Sequence, residues 1–196
     1  VRSNLKQSLF SLYRNQTSSE YISDSHGTSE ILHLHWTPGV IGSNVFSELP
    51  FRSRNIVWTL HDMFPFTGGC HHAMECEGYR SKCEGCPQVR PFFRKRVQDS
   101  LILKIDGIRS TRSLSVVTPS KWLCDKAQES EVFKNTTVSV IPNPVDTSIF
   151  RPTTFRKNIR SGKLVVGCNA TNLLDPMKGI LTLISVLERF HEHHPG

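Results

Sequence analysis

Residues 55–61 read Asn-Ile-Val-Trp-Thr-Leu-His, a short apolar run rich in β-branched and aromatic side chains. This composition is typical of a β-strand that lies in a protein core. Three further runs of the same kind lie at 31–36, 113–117 and 137–141. The first of these ends near Pro38 and the last at Pro142, and proline stops a strand because it has no backbone N–H to donate. The sequence therefore predicts four strands.

Helical patterns occupy the stretches between and after these strands. Residues 91–110 carry apolar side chains at helical intervals, and Ser120 is a suitable cap for a second helix. A fifth strand is predicted at 163–168 and a third helix at 178–193. Two lesser helical segments are predicted at 40–50 and through Leu5, Leu9, Phe10 and Tyr13. Strands that alternate with helices predict a parallel sheet, so the predicted fold class is α/β.

The composition limits the class of protein. Of the 196 residues, 37% are hydrophobic, so the chain can bury a core and is not disordered. Lys and Arg number 24 against 17 Asp and Glu, a formal net charge of +7, which suits anionic partners and solubility equally well. No run of about 18 apolar residues occurs, which excludes a membrane-spanning helix. We expect a first domain at 1–150, a linker at 151–162 and part of a second domain at 163–196.

Polar side chains stand where the predicted strands end. His35 follows the first strand, His61 and Asp62 follow the second, and Asn143 follows the fourth. In an open parallel sheet, ligands bind beyond the carboxyl ends of the strands. A histidine there can exchange a proton near neutral pH. The alternative is a histidine whose hydrogen bonds are satisfied by a backbone carbonyl.

Four cysteines form the most specific local pattern. Cys70, Cys76, Cys83 and Cys86 have the spacing C-x5-C-x6-C-x2-C. Thiolates are good zinc ligands, and the last pair has a usual zinc-knuckle spacing; His71 and His72 are alternative ligands. Two disulfides or four reduced thiols would also fit. The first residues do not resemble a secretory leader, so we expect a cytoplasmic protein, where clustered cysteines more often bind metal. The predicted role is structural, to fix the loop at 62–90.

A basic cluster surrounds two phenylalanines, Phe92 and Phe93. An anionic membrane surface is one partner for such a group, and a solvated helix face is the alternative. The basic residues of this cluster are Arg90, Arg94, Lys95 and Arg96.

The sequence lacks the motifs of several enzyme classes. No G-x-G-x-x-G follows a strand, which gives a dinucleotide oxidoreductase no support, and no G-x-x-x-x-G-K-[ST] of a P-loop nucleotidase occurs. The chain also lacks a G-x-S-x-G nucleophile elbow and a D-x-D pair that would hold a metal against a nucleotide diphosphate.

Four segments in order resemble family 4 glycosyltransferases, most closely the subgroup that makes bacterial exopolysaccharides of the colanic acid type. The longest, at 57–71, reads Val-Trp-Thr-Leu-His-Asp-Met-Phe-Pro-Phe-Thr-Gly-Gly-Cys-His. The others are Cys-Glu-Gly-Cys-Pro-Gln at 83–88, Val-Thr-Pro-Ser-Lys-Trp-Leu at 117–123 and Val-Ile-Pro-Asn-Pro-Val-Asp-Thr-Ser-Ile-Phe-Arg-Pro at 140–152. The similarity extends from about residue 31 to residue 190.

The resemblance implies a GT-B fold, in which two Rossmann-like domains hold the acceptor and the nucleotide-sugar donor. It implies a retaining transferase that needs no catalytic metal and acts on a glycan or lipid-linked acceptor, at the inner face of the membrane or in the cytoplasm, without nucleic acid. His61 matches the histidine that faces the donor sugar, and Asp62 would orient it. Lys178 matches the lysine that binds the donor diphosphate, near Gly167 and Asn169.

The chain also departs from the family pattern. The glycine-rich loop after the first strand is absent, the acidic motif of the family would lie beyond Gly196, and Cys168 stands where many members have arginine. We therefore expect a piece shortened at both ends that does not turn over alone. Alternatives are a zinc-stabilised module that binds nucleic acid or protein, and a non-catalytic remnant of the family.

Overall fold

The computed structural model describes residues 9–12, 30–42, 55–152 and 166–194. Its strands are β1 (Ile31–Leu34), β2 (Asn55–Thr59), β3 (Ser113–Thr118) and β4 (Val138–Val140). Its helices are α1 (Arg94–Ser110), α2 (Lys121–Gln128) and α3 (Ile180–His193). The α/β class, the first four predicted strands and the three main predicted helices are confirmed.

The four strands form one parallel sheet in the order β1-β2-β3-β4. Trp58 stands opposite Leu34 on one side and Val116 on the other, and Val116 is paired with Val138. Since all strands run in the same direction, their carboxyl ends meet at a single edge. We call this the carboxyl edge of the sheet; it carries the residues that follow each strand.

One face of the sheet is packed into the core. Leu34, Ile56, Trp58 and Val116 point to this face and are buried with the apolar side of α1. The apolar positions of α1 that reach this core are Val97, Leu101, Ile105 and Ile108. A compact core of this kind holds the carboxyl edge in a fixed geometry.

The opposite face of the sheet is more open. In β1, buried residues alternate with the exposed Ile31 and His33, so the prediction that the whole stretch 31–36 is buried is corrected. Ser115 is also exposed on this face of β3, whereas Val57 of β2 is half-buried. Alternation with a period of two is the pattern of a strand covered on one side.

Local signals explain where the helices begin. Pro91 starts a 3-10 turn, Pro91–Phe93, that leads directly into α1. Ser120 caps α2, since its side-chain oxygen accepts a hydrogen bond from the backbone N–H of Leu123 at 3.3 Å. A serine in this position satisfies one of the free N–H groups at the helix start.

Three predicted elements differ from the structure. Residues 9–12 form no helix; Phe10 instead makes an antiparallel bridge with Cys70. Residues 166–168, the described part of the fifth predicted strand, are not in a strand, and Val40 and Ile41 lie in a turn. The remainder of these segments, with Leu5 and Tyr13, lies outside the described residues.

The chain divides into two compact units, Val1–Pro144 and Val145–Gly196. In the second unit a 3-10 turn, Pro176–Lys178, precedes α3, and Gly179 between them adopts a left-handed conformation with φ of 67°. No residue of α3 is buried, although its apolar stripe predicted a core-facing side. Among the described residues, no helix is both long enough and apolar enough to cross a membrane.

Candidate functional site

Three histidines lie in a row, one on β1 and two at the carboxyl edge beyond β1 and β2. His61 is exposed, and its Nε2 is 3.1 Å from Nδ1 of His35, with the two rings stacked at 5.4 Å. His33 follows, with its ring 4.2 Å from that of His35 and its Nε2 2.9 Å from Oγ1 of Thr59. Desolvation and the neighbouring His35 lower the pKa of His33. His61 is thus oriented by another side chain and open to a ligand.

Asp62 holds the loop rather than His61. Its Oδ1 accepts a hydrogen bond from the backbone N–H of Phe64 at 2.8 Å, and its Oδ2 lies 2.7 Å from Nδ1 of His71. Both carboxylate oxygens are therefore engaged within the loop. The expected role of orienting His61 is carried by His35 instead.

His71 is the centre of a buried polar contact that the sequence did not indicate. Its ring lies between those of Trp36 and Phe64, at 4.9 and 5.1 Å. Its Nε2 is 2.9 Å from Oγ of Ser11, a residue 60 positions away. Residues from three separate segments are thereby fixed around one imidazole, directly beside the carboxyl edge.

Replacing Asp62 by alanine should lower the free energy of unfolding by about 2 to 4 kcal/mol. The change leaves a backbone N–H and a buried imidazole without their acceptor, and each such loss costs about 1–3 kcal/mol. Chemical denaturation of both proteins measures the difference. Asp62→Asn should recover most of the stability, because its oxygen still serves Phe64 and the His71 tautomer can change. Equal stability of wild type and Asp62→Ala would contradict this role.

The four clustered cysteines surround one small cavity. Cys70, Cys76, Cys83 and Cys86 all line it, and its volume is about 10 Å³. All four are free thiols. Left-handed φ values of 51° at Cys83 and 68° at Gly85 make the tight turn that brings the last pair to the cavity.

The two histidines that could replace cysteines as zinc ligands lie elsewhere. His71 and His72 do not line the cavity; His72 stacks on Trp122 with ring centroids 5.6 Å apart. In the part of the chain that the structure describes, no three His, Cys, Asp or Glu side chains are arranged as a ready-made metal site. As thiols, Cys70 and Cys83 are unreactive, because burial raises the pKa of Cys70 to about 12 and that of Cys83 to about 11.

Lys104 is a buried cation that the sequence did not reveal. It is 1% exposed, and its Nζ donates to the carbonyl oxygens of Phe64 at 2.6 Å and Thr67 at 3.0 Å. Nζ also lies 3.6 Å from the centroid of the Phe64 ring. Complete burial lowers the pKa of Lys104 to about 7, against the opposing effect of the nearby Cys70 and Cys83. The lysine fastens the loop after β2 to α1.

The donor-site residues implied by the resemblance lie in the second unit. Lys178 is exposed at the end of the 3-10 turn that leads into α3. Gly167 and Asn169 are exposed in the irregular stretch 166–170. Their position relative to His61 stays a prediction.

The basic cluster forms an exposed patch at the start of α1. Phe92 is 78% exposed and packs edge-to-face on Phe93, and the guanidinium of Arg96 lies 6.0 and 5.6 Å from the two ring centroids. Lys95 is paired with Asp99 at 2.7 Å. The basic–aromatic patch comprises Arg90, Phe92, Phe93, Arg94, Lys95 and Arg96.

Comparison with known proteins gives no match. No protein-family model, no curated protein and no solved structure matches this chain. Its function must therefore be inferred from its own residues and from the motifs they form.

Proposed function

We propose that this chain is part of a retaining glycosyltransferase of the GT-B type, related to family 4. It would move a sugar from a nucleotide-diphosphate donor to a glycan or lipid-linked acceptor in polysaccharide synthesis. The reaction needs charge stabilisation at the leaving diphosphate and a correctly placed acceptor hydroxyl rather than a strong nucleophile.

The observation that carries this proposal is the placement of His61. Its imidazole is exposed at the carboxyl edge of a parallel sheet, the usual ligand side of such a fold. Its Nε2 is held by His35 at 3.1 Å, so Nδ1 is left to interact with a sugar hydroxyl. A histidine buried in the core, or at the opposite edge, would not support sugar transfer.

In this proposal the second unit binds the nucleotide-diphosphate donor. Lys178 stands two residues before the first residue of α3, so its charge and the positive helix end act in the same region. Together they suit a diphosphate. Gly167 and Asn169 would contribute backbone and amide hydrogen bonds in place of the usual arginine.

The basic–aromatic patch supports a lipid-linked acceptor. Exposed phenylalanine rings enter the interfacial region of a bilayer, and the surrounding Arg and Lys side chains pair with anionic headgroups. Phe92 has the exposure that such insertion requires. The patch would keep the enzyme at the membrane surface, where a lipid-linked acceptor is found.

A transfer assay tests the proposed function. The protein expressed from its complete coding sequence is incubated with a panel of nucleotide-diphosphate sugars and membrane lipid extract, and released nucleoside diphosphate is measured. We expect release with at least one donor, and a product whose anomeric configuration by NMR equals that of the donor. Absence of both donor binding and release would overturn the proposal. Steeply salt-dependent binding of nucleic acid instead would support the binding-module alternative.

A further inference from the structure

We infer that the cavity lined by Cys70, Cys76, Cys83 and Cys86 is a binding site for a single zinc ion. The inference concerns the architecture of the loop and is independent of the proposed sugar transfer. Four cysteines from a stretch of the loop without a regular strand or α-helix converge on one point. Cysteine packs as a small hydrophobe, and Cys70, Cys83 and Cys86 belong to the apolar core, but packing alone does not require four thiols around one cavity.

The size of the cavity fits one ion. Its volume of about 10 Å³ admits one water-sized occupant at most. A water molecule needs two to four polar partners, whereas thiols are weak donors and weak acceptors. Zinc requires four sulfur ligands at about 2.3 Å in a tetrahedron. The described residues hold no ready-made group of three such ligands, so the sulfurs would have to close on the ion.

A backbone N–H group is already directed at one of the sulfurs. The N–H of Gly78 donates to Sγ of Cys76 at 3.4 Å. Neutral thiols gain little from such donors, but thiolates on a metal need them, because these outer contacts orient the ligands and spread their charge.

A buried cation lies beside the same thiols. Lys104 approaches the face of the Phe64 ring at 3.6 Å, a contact that favours its ammonium form. Zinc with four thiolates carries a net charge of minus two, and Nζ of Lys104 donates to the carbonyl oxygen of Thr67, a residue that lines the same cavity. The metal centre would thus give a buried lysine the counter-charge that a cation in a core requires.

Metal analysis of the purified protein decides the matter. We expect about one zinc ion per chain after expression in zinc-containing medium. Exchange for Co²⁺ should give the absorption of a tetrahedral four-thiolate complex. Cys83→Ser should lower the zinc content by about tenfold or more. The matched control is Cys124→Ser, a buried thiol on α2 outside the cavity, which should leave the zinc content unchanged.

Other outcomes would overturn the inference. These are less than about a tenth of a zinc ion per chain, iron in its place, or a thiol titration that shows two disulfides among these cysteines. If Cys83→Ser does not fold, the zinc content and the cobalt spectrum of the wild type decide alone. Zinc without sugar transfer would leave the site established and the proposed function rejected, and the reverse result would reject only the zinc site.

Discussion

His61→Ala is expected to lower the turnover of sugar transfer by about 100- to 1,000-fold. The imidazole is exposed at the carboxyl edge and is oriented by the neighbouring His35. Removing a preorganised group of this kind removes stabilisation that acts mainly in the transition state. The rate of nucleoside diphosphate release at saturating donor, in the protein from its complete coding sequence, measures the effect.

The fold should survive this substitution. His61 is exposed, and substitutions at such surface positions usually change stability by no more than about 0.5 kcal/mol. His33→Ala is the matched control, since it removes a histidine of the same row that bonds Thr59 instead. We expect its turnover to stay within about threefold of wild type. An unchanged turnover in His61→Ala would remove this residue from the mechanism.

Gly68→Ala is expected to lower the free energy of unfolding by about 3 kcal/mol or more. A β-carbon at this position would lie 2.4 Å from Cγ1 of Val97 and 2.5 Å from its carbonyl oxygen. Val97 belongs to α1, whose backbone cannot yield as a flexible side chain does. The loop would have to separate from the helix, which would also loosen the contacts of Lys104. Chemical denaturation, with both proteins in the same metal state, measures the change.

Gly85→Ala provides the comparison for this effect. Its β-carbon would meet nothing within 4 Å, and only its left-handed φ of 68° is unfavourable. Such strain costs about 1 to 2 kcal/mol. If Gly68→Ala were no more destabilising than Gly85→Ala, the close packing of the loop on α1 would be contradicted.

Much of the sheet could be predicted from the sequence because its signals are local. Trp58 and Val116 lie in short runs of β-branched and aromatic residues, and Ser120 is a capping residue at the start of α2. The predicted strand boundaries were too long by up to two residues at β1 and β2. The cause is that apolar residues continue past the last ladder pair, as Leu60 does in the core.

The contacts around the loop could not be predicted, because they are long-range. Lys104 looks like an ordinary polar position of an amphipathic helix, and its burial depends on carbonyl groups that lie 40 and 37 residues before it. The contact of His71 with Ser11 likewise joins residues 60 positions apart. The nine-residue separation of Asp62 and His71 within one loop was the one nearby signal.

The strand order β1-β2-β3-β4 follows the order of synthesis. As the chain leaves the ribosome, β2, β3 and β4 each find the strand that they add to already made, and among the described strands only β1 waits for its partner. In sheets where an early strand must wait for a partner from a distant segment, the unpaired backbone edge of that strand is exposed for longer. The described sheet can therefore be built strand by strand from β1 to β4 during synthesis. The loop after β2 emerges before β3 adds to the growing sheet.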